Sequence, residues 1–142
     1  MKFSDFIEEG KVRKGTSDLQ KVKSLIITSN NHINSIKDLE INETTAQTIM
    51  VIYYEALREI VEGLCLKEGF KVYSHEAFTY FLKEKEELVI SNKFDSYRKI
   101  RNSINYYGES ISVEEAKNHK EEIIKIISQL KNKYLQQNEP PS

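Results

Sequence analysis

The stretch TTAQTIMVIYYEALREIVEGL, running from Thr44 to Leu64, decides the fold. Within it Ala46, Ile49, Met50, Tyr53, Leu57, Ile60, Val61 and Leu64 recur at steps of three and four, the spacing of one helix face rather than the alternation of a strand. Thr44 with Gln47 has capping-box spacing at the start of this helix, and Gly69 is placed to end it. Upstream, Ser17 with Gln20 repeats the capping signal, and Leu19, Val22, Ile26, Ile33 and Ile36 trace a helix to about Leu39. Downstream, Lys71 to Tyr73 read as a brief connector. Ser74 caps a third helix in which Phe78, Phe81, Leu82, Leu88 and Val89 face the core and the charged run Lys83 to Glu87 faces water. Ser91 or Asn92 opens a fourth helix that Gly108 closes. Ser112 and Glu115 open a fifth, carried by Val113, Ala116, Lys120, Ile123, Ile127, Leu130 and Tyr134.

Strand signals are nearly absent and the connections are short. The expected fold is therefore all-α, an antiparallel up-and-down bundle of four to five helices. Residues 1–16, with Gly10 and Gly15 around Lys11, Arg13 and Lys14, read as an N-terminal segment made of a short helical turn and a mobile linker. Residues 17–135 form the helical domain, and 136–142 a disordered tail.

Composition narrows the function. At 142 residues the chain holds one domain with a real core, and a formal net charge of −1 excludes nucleic-acid binding through bulk charge while allowing a local basic patch. Cys65 stands alone, so no disulfide framework exists, which suits a reducing cytoplasm. No apolar run approaches the ~20 residues of a membrane span, and the acidic N-terminus lacks a signal-peptide core. A cytoplasmic protein without membrane association is expected. His32, His75 and His119 show no ligand spacing, so no metal is expected, and no Gly-rich phosphate loop or catalytic triad marks a cofactor or nucleophile. His75 reads as a helix-start residue and His119 as part of a solvated face. Tyr53, Tyr80, Tyr97 and Tyr134 fall on or beside apolar stripes, where packing accounts for them.

The chemistry concentrates between Arg98 and Gly108. Phe94, Tyr97, Arg101, Ile104 and Tyr107 or Gly108 share one face, which sets an arginine on an apolar seam. An unpaired guanidinium out of water costs several kcal/mol, roughly, so Arg101 needs a carboxylate, a polar network, a subunit partner or a phosphate. A Glu of a neighbouring helix, Glu55 or Glu59, is one solution. A phosphate is the other, because the arginine fork makes two parallel charged hydrogen bonds. Arg101 with Asn105, and Asn102 with Tyr106, lie one turn apart, and with Arg98 they form a compact polar surface.

The helix order, the Ser74-His75-Glu76-Ala77 start of helix three and Arg101-Asn102 near the end of helix four together resemble the HEPN (higher eukaryotes and prokaryotes nucleotide-binding) domain family over roughly Ser17 to Tyr134. The resemblance implies an all-α, HEPN-like bundle that dimerises with its motif helices facing a shared cleft. It also implies metal-independent RNA cleavage, in which the 2′-hydroxyl attacks the adjacent phosphate. The family motif is an arginine, commonly followed by Asn, Asp or His, then three residues and a histidine. Arg101 and Asn102 match the first two positions, and Tyr106 stands at the histidine position. With an ordinary pKa of about 10, a tyrosine is ionised to roughly one part in a thousand at pH 7, about three decades behind histidine as a base. The resemblance thus implies binding of RNA or a nucleotide through Arg98, Arg101, Asn102, Asn105 and Tyr107, with weak or absent cleavage through Arg101, Asn102 and Tyr106. It further implies pairing with a minimal nucleotidyltransferase, as in toxin–antitoxin systems. In some of those pairs the partner adenylylates a tyrosine two residues beyond the motif histidine, a position that Gly108 holds here. The alternative expectation is a non-enzymatic helical interaction module in which Arg101 is an interface salt-bridge residue.

Overall fold

A computed structural model describes residues 1–136, so 137–142 of the segment read as a disordered tail lie outside the described residues. The elements are α1 (Phe3–Glu8), β1 (Val12–Lys14), α2 (Leu19–Ile36), α3 (Ala46–Lys67), β2 (Phe70–Val72), α4 (His75–Glu84), α5 (Leu88–Tyr107) and α6 (Val113–Leu130), the last running into a wide π-type turn at Lys131–Leu135. The protein is an all-α bundle with one small two-stranded ribbon.

Helix α3 is the axis of the bundle. The seam from Ala46 to Leu64 is buried as expected, but Tyr54, Ala56, Cys65 and Leu66 are buried as well, so α3 is covered on most of its circumference. Helix α2 runs antiparallel to it: Val22 lies against Gly63, and the Ser29 hydroxyl donates to the Ala56 carbonyl at 2.7 Å. Helix α6 runs parallel to α3, as Lys120 over the Tyr53 ring and Lys67 donating to the Tyr134 carbonyl show. Helix α5 is antiparallel to α6, with the Tyr97 hydroxyl on Glu122 and Ser103 and Ile104 level with Glu115. The four long helices therefore alternate up and down.

The short helix α4 breaks that alternation. Strand β2 carries the chain back along α3, so that His75, at the start of α4, meets Tyr54 in the middle of α3. Helix α4 then descends parallel to α3 until Lys85 reaches Glu68. Gly69 permits this reversal: it takes φ +89°, and a Cβ there would strike the carbonyl oxygen of Gly15.

The structure corrects several expectations. Helix three ends at Glu84, where Glu86 adopts φ +63° and turns the chain, so Leu88 and Val89 open α5 on the surface, 61% and 69% exposed, instead of facing the core. Helix four thus starts at Leu88 and not at Ser91 or Asn92; Ser91 is buried, its hydroxyl donating to the Thr79 carbonyl at 2.9 Å. Residues 1–16 are no loose linker. Phe3 packs edge-on against Phe70 and Phe81, Phe6 packs on Tyr80, and β1 pairs antiparallel with β2 in the register Val12↔Val72. Part of the Lys71–Tyr73 connector is accordingly strand. The α2 cap is Asp18, which accepts from the Lys21 amide, and α3 is preceded by Thr45 rather than Thr44. Ser112 caps α6 through the Glu115 amide, and Gly108 closes α5 in the left-handed region, both as expected.

Candidate functional site

The return of β2 creates the site. A cleft of about 340 Å³ opens where the start of α4 faces the last turns of α5, lined by Ser74, His75, Glu76, Arg98, Arg101, Asn102 and Tyr106. Four of the residues singled out in sequence, Arg98, Arg101, Asn102 and Tyr106, therefore meet. Asn105 does not join them; it lies on the α3-facing side with Ile104, in a shallow groove along Gln47, Thr48, Val51 and Ile52. Tyr107, the next residue round from Tyr106, points away from the cleft and is 78% exposed.

Arg101 is held below and left open in front. Its guanidinium lies 5.9 Å from the centre of the Tyr54 ring and 5.8 Å from that of Tyr106, and its Nη1 donates to the Asn102 side-chain oxygen at 3.1 Å. The carboxylate anticipated for it is Glu55, at 3.6 Å, an ion pair beyond hydrogen-bond distance. Glu59 is instead paired with His32 at 2.8 Å. Glu55 is committed elsewhere: its Oε2 accepts from Arg58 Nε at 3.1 Å and Nη2 at 3.0 Å, while its Oε1, towards Arg101, is buried without a hydrogen-bond partner, as is Arg101 Nε. Arg101 is thus charge-balanced at a distance but incompletely hydrogen-bonded. Arg98 is anchored more firmly, donating to Asp95 Oδ1 from Nε at 3.2 Å and Nη2 at 2.8 Å. Despite burial, which works the other way, Arg98 and Lys99 hold the Asp95 carboxyl below its ordinary range. Glu76 adds one negative charge at the rim.

Sequence reasoning missed His75 as a site residue. Its Nδ1 is 3.0 Å from the Tyr54 hydroxyl, and its ring lies 5.9 Å from that of Phe78. Burial, reinforced by repulsion from Arg58 and Arg101 and only partly opposed by Glu55, lowers its pKa to about 4, so the imidazole is neutral at pH 7. Burial pushes the Tyr54 hydroxyl far up, and Glu55 adds to the shift, so Tyr54 stays a neutral O–H. That hydroxyl has no other partner among the described residues, so it donates to Nδ1 and the ring proton sits on Nε2. The only hint in the sequence is a histidine beside a cap serine at a helix start. What it faces depends on the path of β2.

His119 also departs from expectation: it is only 20% exposed, edge-on to Tyr97 at 5.2 Å and 3.2 Å from Glu122. Among the described residues no group of three or more His, Cys, Asp or Glu is placed to hold a metal ion, and no helix is long and apolar enough to cross a membrane. The site is a polar cleft on an all-α bundle that presents two guanidinium groups, one amide, one neutral imidazole and one phenol. No protein-family model matches the chain, and no curated protein or solved structure gives a significant match.

Proposed function

We propose that this is a HEPN-like protein whose cleft binds a phosphate of RNA or of a nucleotide, with weak or absent metal-independent cleavage. One observation carries the proposal: Arg101 keeps donors unspent in a cleft it shares with Arg98 and Asn102, its nearest carboxylate standing 3.6 Å away. A phosphate oxygen entering the cleft would complete the arginine fork, and the Nε2–H of a neutral His75 would add a donor without the repulsion a second cation would bring. Proton transfer is where the cleft is poor. A base for the 2′-hydroxyl should titrate near the working pH; an imidazole at about 4 lies well below it, and Tyr106, at the motif histidine position, is a phenol 68% exposed. Binding without brisk turnover follows.

The protein acts in the cytoplasm as a homodimer beside a minimal nucleotidyltransferase. Support for a partner surface is the bare aromatic pair Tyr106 and Tyr107 at the open end of α5. A second reading, a non-enzymatic interaction module, draws on the Arg101–Glu55 pair, which balances the arginine inside the subunit. The two are separated by titrating the dinucleotide UpU into wild type, Arg101→Ala and Arg101→Lys, with circular dichroism as the folding check. Phosphate binding predicts loss in the alanine variant and partial rescue in lysine, which keeps the charge without the fork. Equal affinity in a folded Arg101→Ala would leave the interaction module.

A further inference from the structure

The outward face of the β1–β2 ribbon carries chemistry that the cleft does not use. Val12 and Val72 point inward and are buried, so the pairing Arg13↔Lys71 places both cations on the opposite, outer face. The same alternation puts Lys11 and Tyr73 there, joined by the Tyr73 amide donating to the Lys11 carbonyl at 2.8 Å. Tyr73 is 57% exposed, and Lys71 Nζ stands 5.8 Å from its ring centre. Lys11 has Glu9 at 3.2 Å, but Arg13, Lys14 and Lys71 have no carboxylate partner among the described residues. Arg13, Lys14 and Tyr73 also line a cleft of about 590 Å³ with Ile7, Gly10 and Val12. In a chain of net charge −1, this is a concentrated positive surface with an exposed aromatic face in it.

Its position relative to the first cleft gives it meaning. Tyr73 belongs to the ribbon cleft, Ser74 and His75 to the phosphate cleft, and the Cα atoms of Tyr73 and His75 are at most ~7.6 Å apart along the chain. One nucleotide unit bridges that separation.

We propose that the ribbon is a binding track for single-stranded RNA, on which a base stacks against Tyr73 and the flanking phosphates meet Arg13 and Lys71, leading the strand into the cleft at Arg101. This rests on the phosphate reading of that cleft and extends it from a mononucleotide to an extended strand. An unpaired strand is favoured over a duplex because stacking on Tyr73 requires a free base face.

Fluorescence anisotropy with a uridine 12-mer, the dinucleotide UpU and a 12-base-pair RNA duplex tests it, on wild type, Tyr73→Ala, the double variant Arg13→Gln/Lys71→Gln, and Arg101→Ala. Tyr73→Ala should weaken the 12-mer at least fivefold and leave UpU unchanged. The double variant should lower the slope of log K against log salt by about 1.4, the share of two phosphate contacts on a single strand. Arg101→Ala should weaken both ligands. Ribbon variants that leave the 12-mer affinity and salt slope untouched would overturn the track while sparing the cleft. Loss in the ribbon variants with no effect of Arg101→Ala would support the track and overturn the cleft reading. Duplex binding as tight as the 12-mer, or ribbon-dependent binding to phosphatidylserine vesicles with the 12-mer indifferent to the same variants, would each overturn the track.

Discussion

His75 offers the sharpest test of the site's electrostatics. In the folded protein its imidazole titrates at about 4, against 6.5 for an ordinary histidine. Between those values the unfolded chain takes up a proton that the folded protein refuses, so folding stability falls as pH drops from 6.5 towards 4. At about 1.4 kcal/mol per decade the full effect is bounded at ~3.4 kcal/mol, and at pH 4.5 it comes to ~2.6 kcal/mol. The ring lines a solvent-filled cleft, and solvent screening reduces this to about 1–2.5 kcal/mol. Other groups push the same way: Lys133 holds the Glu87 carboxyl down, and Lys93 and His119 do so for Glu122 against its burial, so these carboxylates too lose their contribution as pH falls. The readout is therefore a difference. Urea unfolding of wild type and His75→Gln at pH 7.0 and 4.5 should show the wild type losing about 1–2.5 kcal/mol more than the variant. Proton NMR of the imidazole, assigned with the same variant, should give a midpoint near 4 that rises when UpU is added, because a bound phosphate favours the imidazolium. An imidazole that titrates at 6 or above in the free protein, with pH profiles that run parallel in the two proteins, would refute the account of a buried ring hemmed in by Arg58 and Arg101.

Three further outcomes are expected. Gly69→Ala should destabilise the fold by about 2–3 kcal/mol in urea melts, whereas Gly108→Ala, also at positive φ but with open space around the added methyl, should lose only about 1 kcal/mol; equal losses would remove the Gly15 contact from the explanation. Light scattering at ~100 μM, well above the Kd of a micromolar-class dimer, should return the mass of two chains, and a single-chain mass would discard the shared cleft. Tyr106→His places an imidazole within reach of Arg101 and should raise metal-independent cleavage of a mixed RNA pool by about 10²-fold with a bell-shaped pH profile; a folded, dimeric and silent variant would favour the interaction module.

The bundle was legible wherever one residue type recorded one physical requirement. The stripe from Ala46 to Leu64, the Ser112 cap and the left-handed Gly108 each did so. Helix three misled because Phe78, Phe81, Leu82, Leu88 and Val89 keep helical phase across the turn at Lys85–Glu87, and Glu86 takes positive φ without the glycine that normally announces it. Three-residue strands are too short for alternation to register, so β1 and β2 were invisible until Val12 and Val72 were seen paired. Within the site, Arg98, Arg101, Asn102 and Tyr106 share a single helix and their spacing predicts their meeting. Asn105 and Tyr107 share that helix but not that side of it. His75 and Tyr54 lie on different elements, and only the path of β2 joins them.

That path has a consequence for synthesis. Helices α2 and α3 can close on each other as soon as both have left the ribosome, since only a short connection separates them. The N-terminal segment, first to emerge, must wait longest. Val12 has no strand partner until Val72 is made, and Phe3 has no aromatic neighbour until Phe70 and Phe81 arrive. A growing chain therefore exposes Phe3, Phe6 and Val12 through more than half of its translation, and the entrance to the cleft is set among the last long-range contacts to form. Chaperones that hold nascent chains by their apolar segments would find this protein's handle at its N-terminus, and its release would coincide with assembly of the cleft.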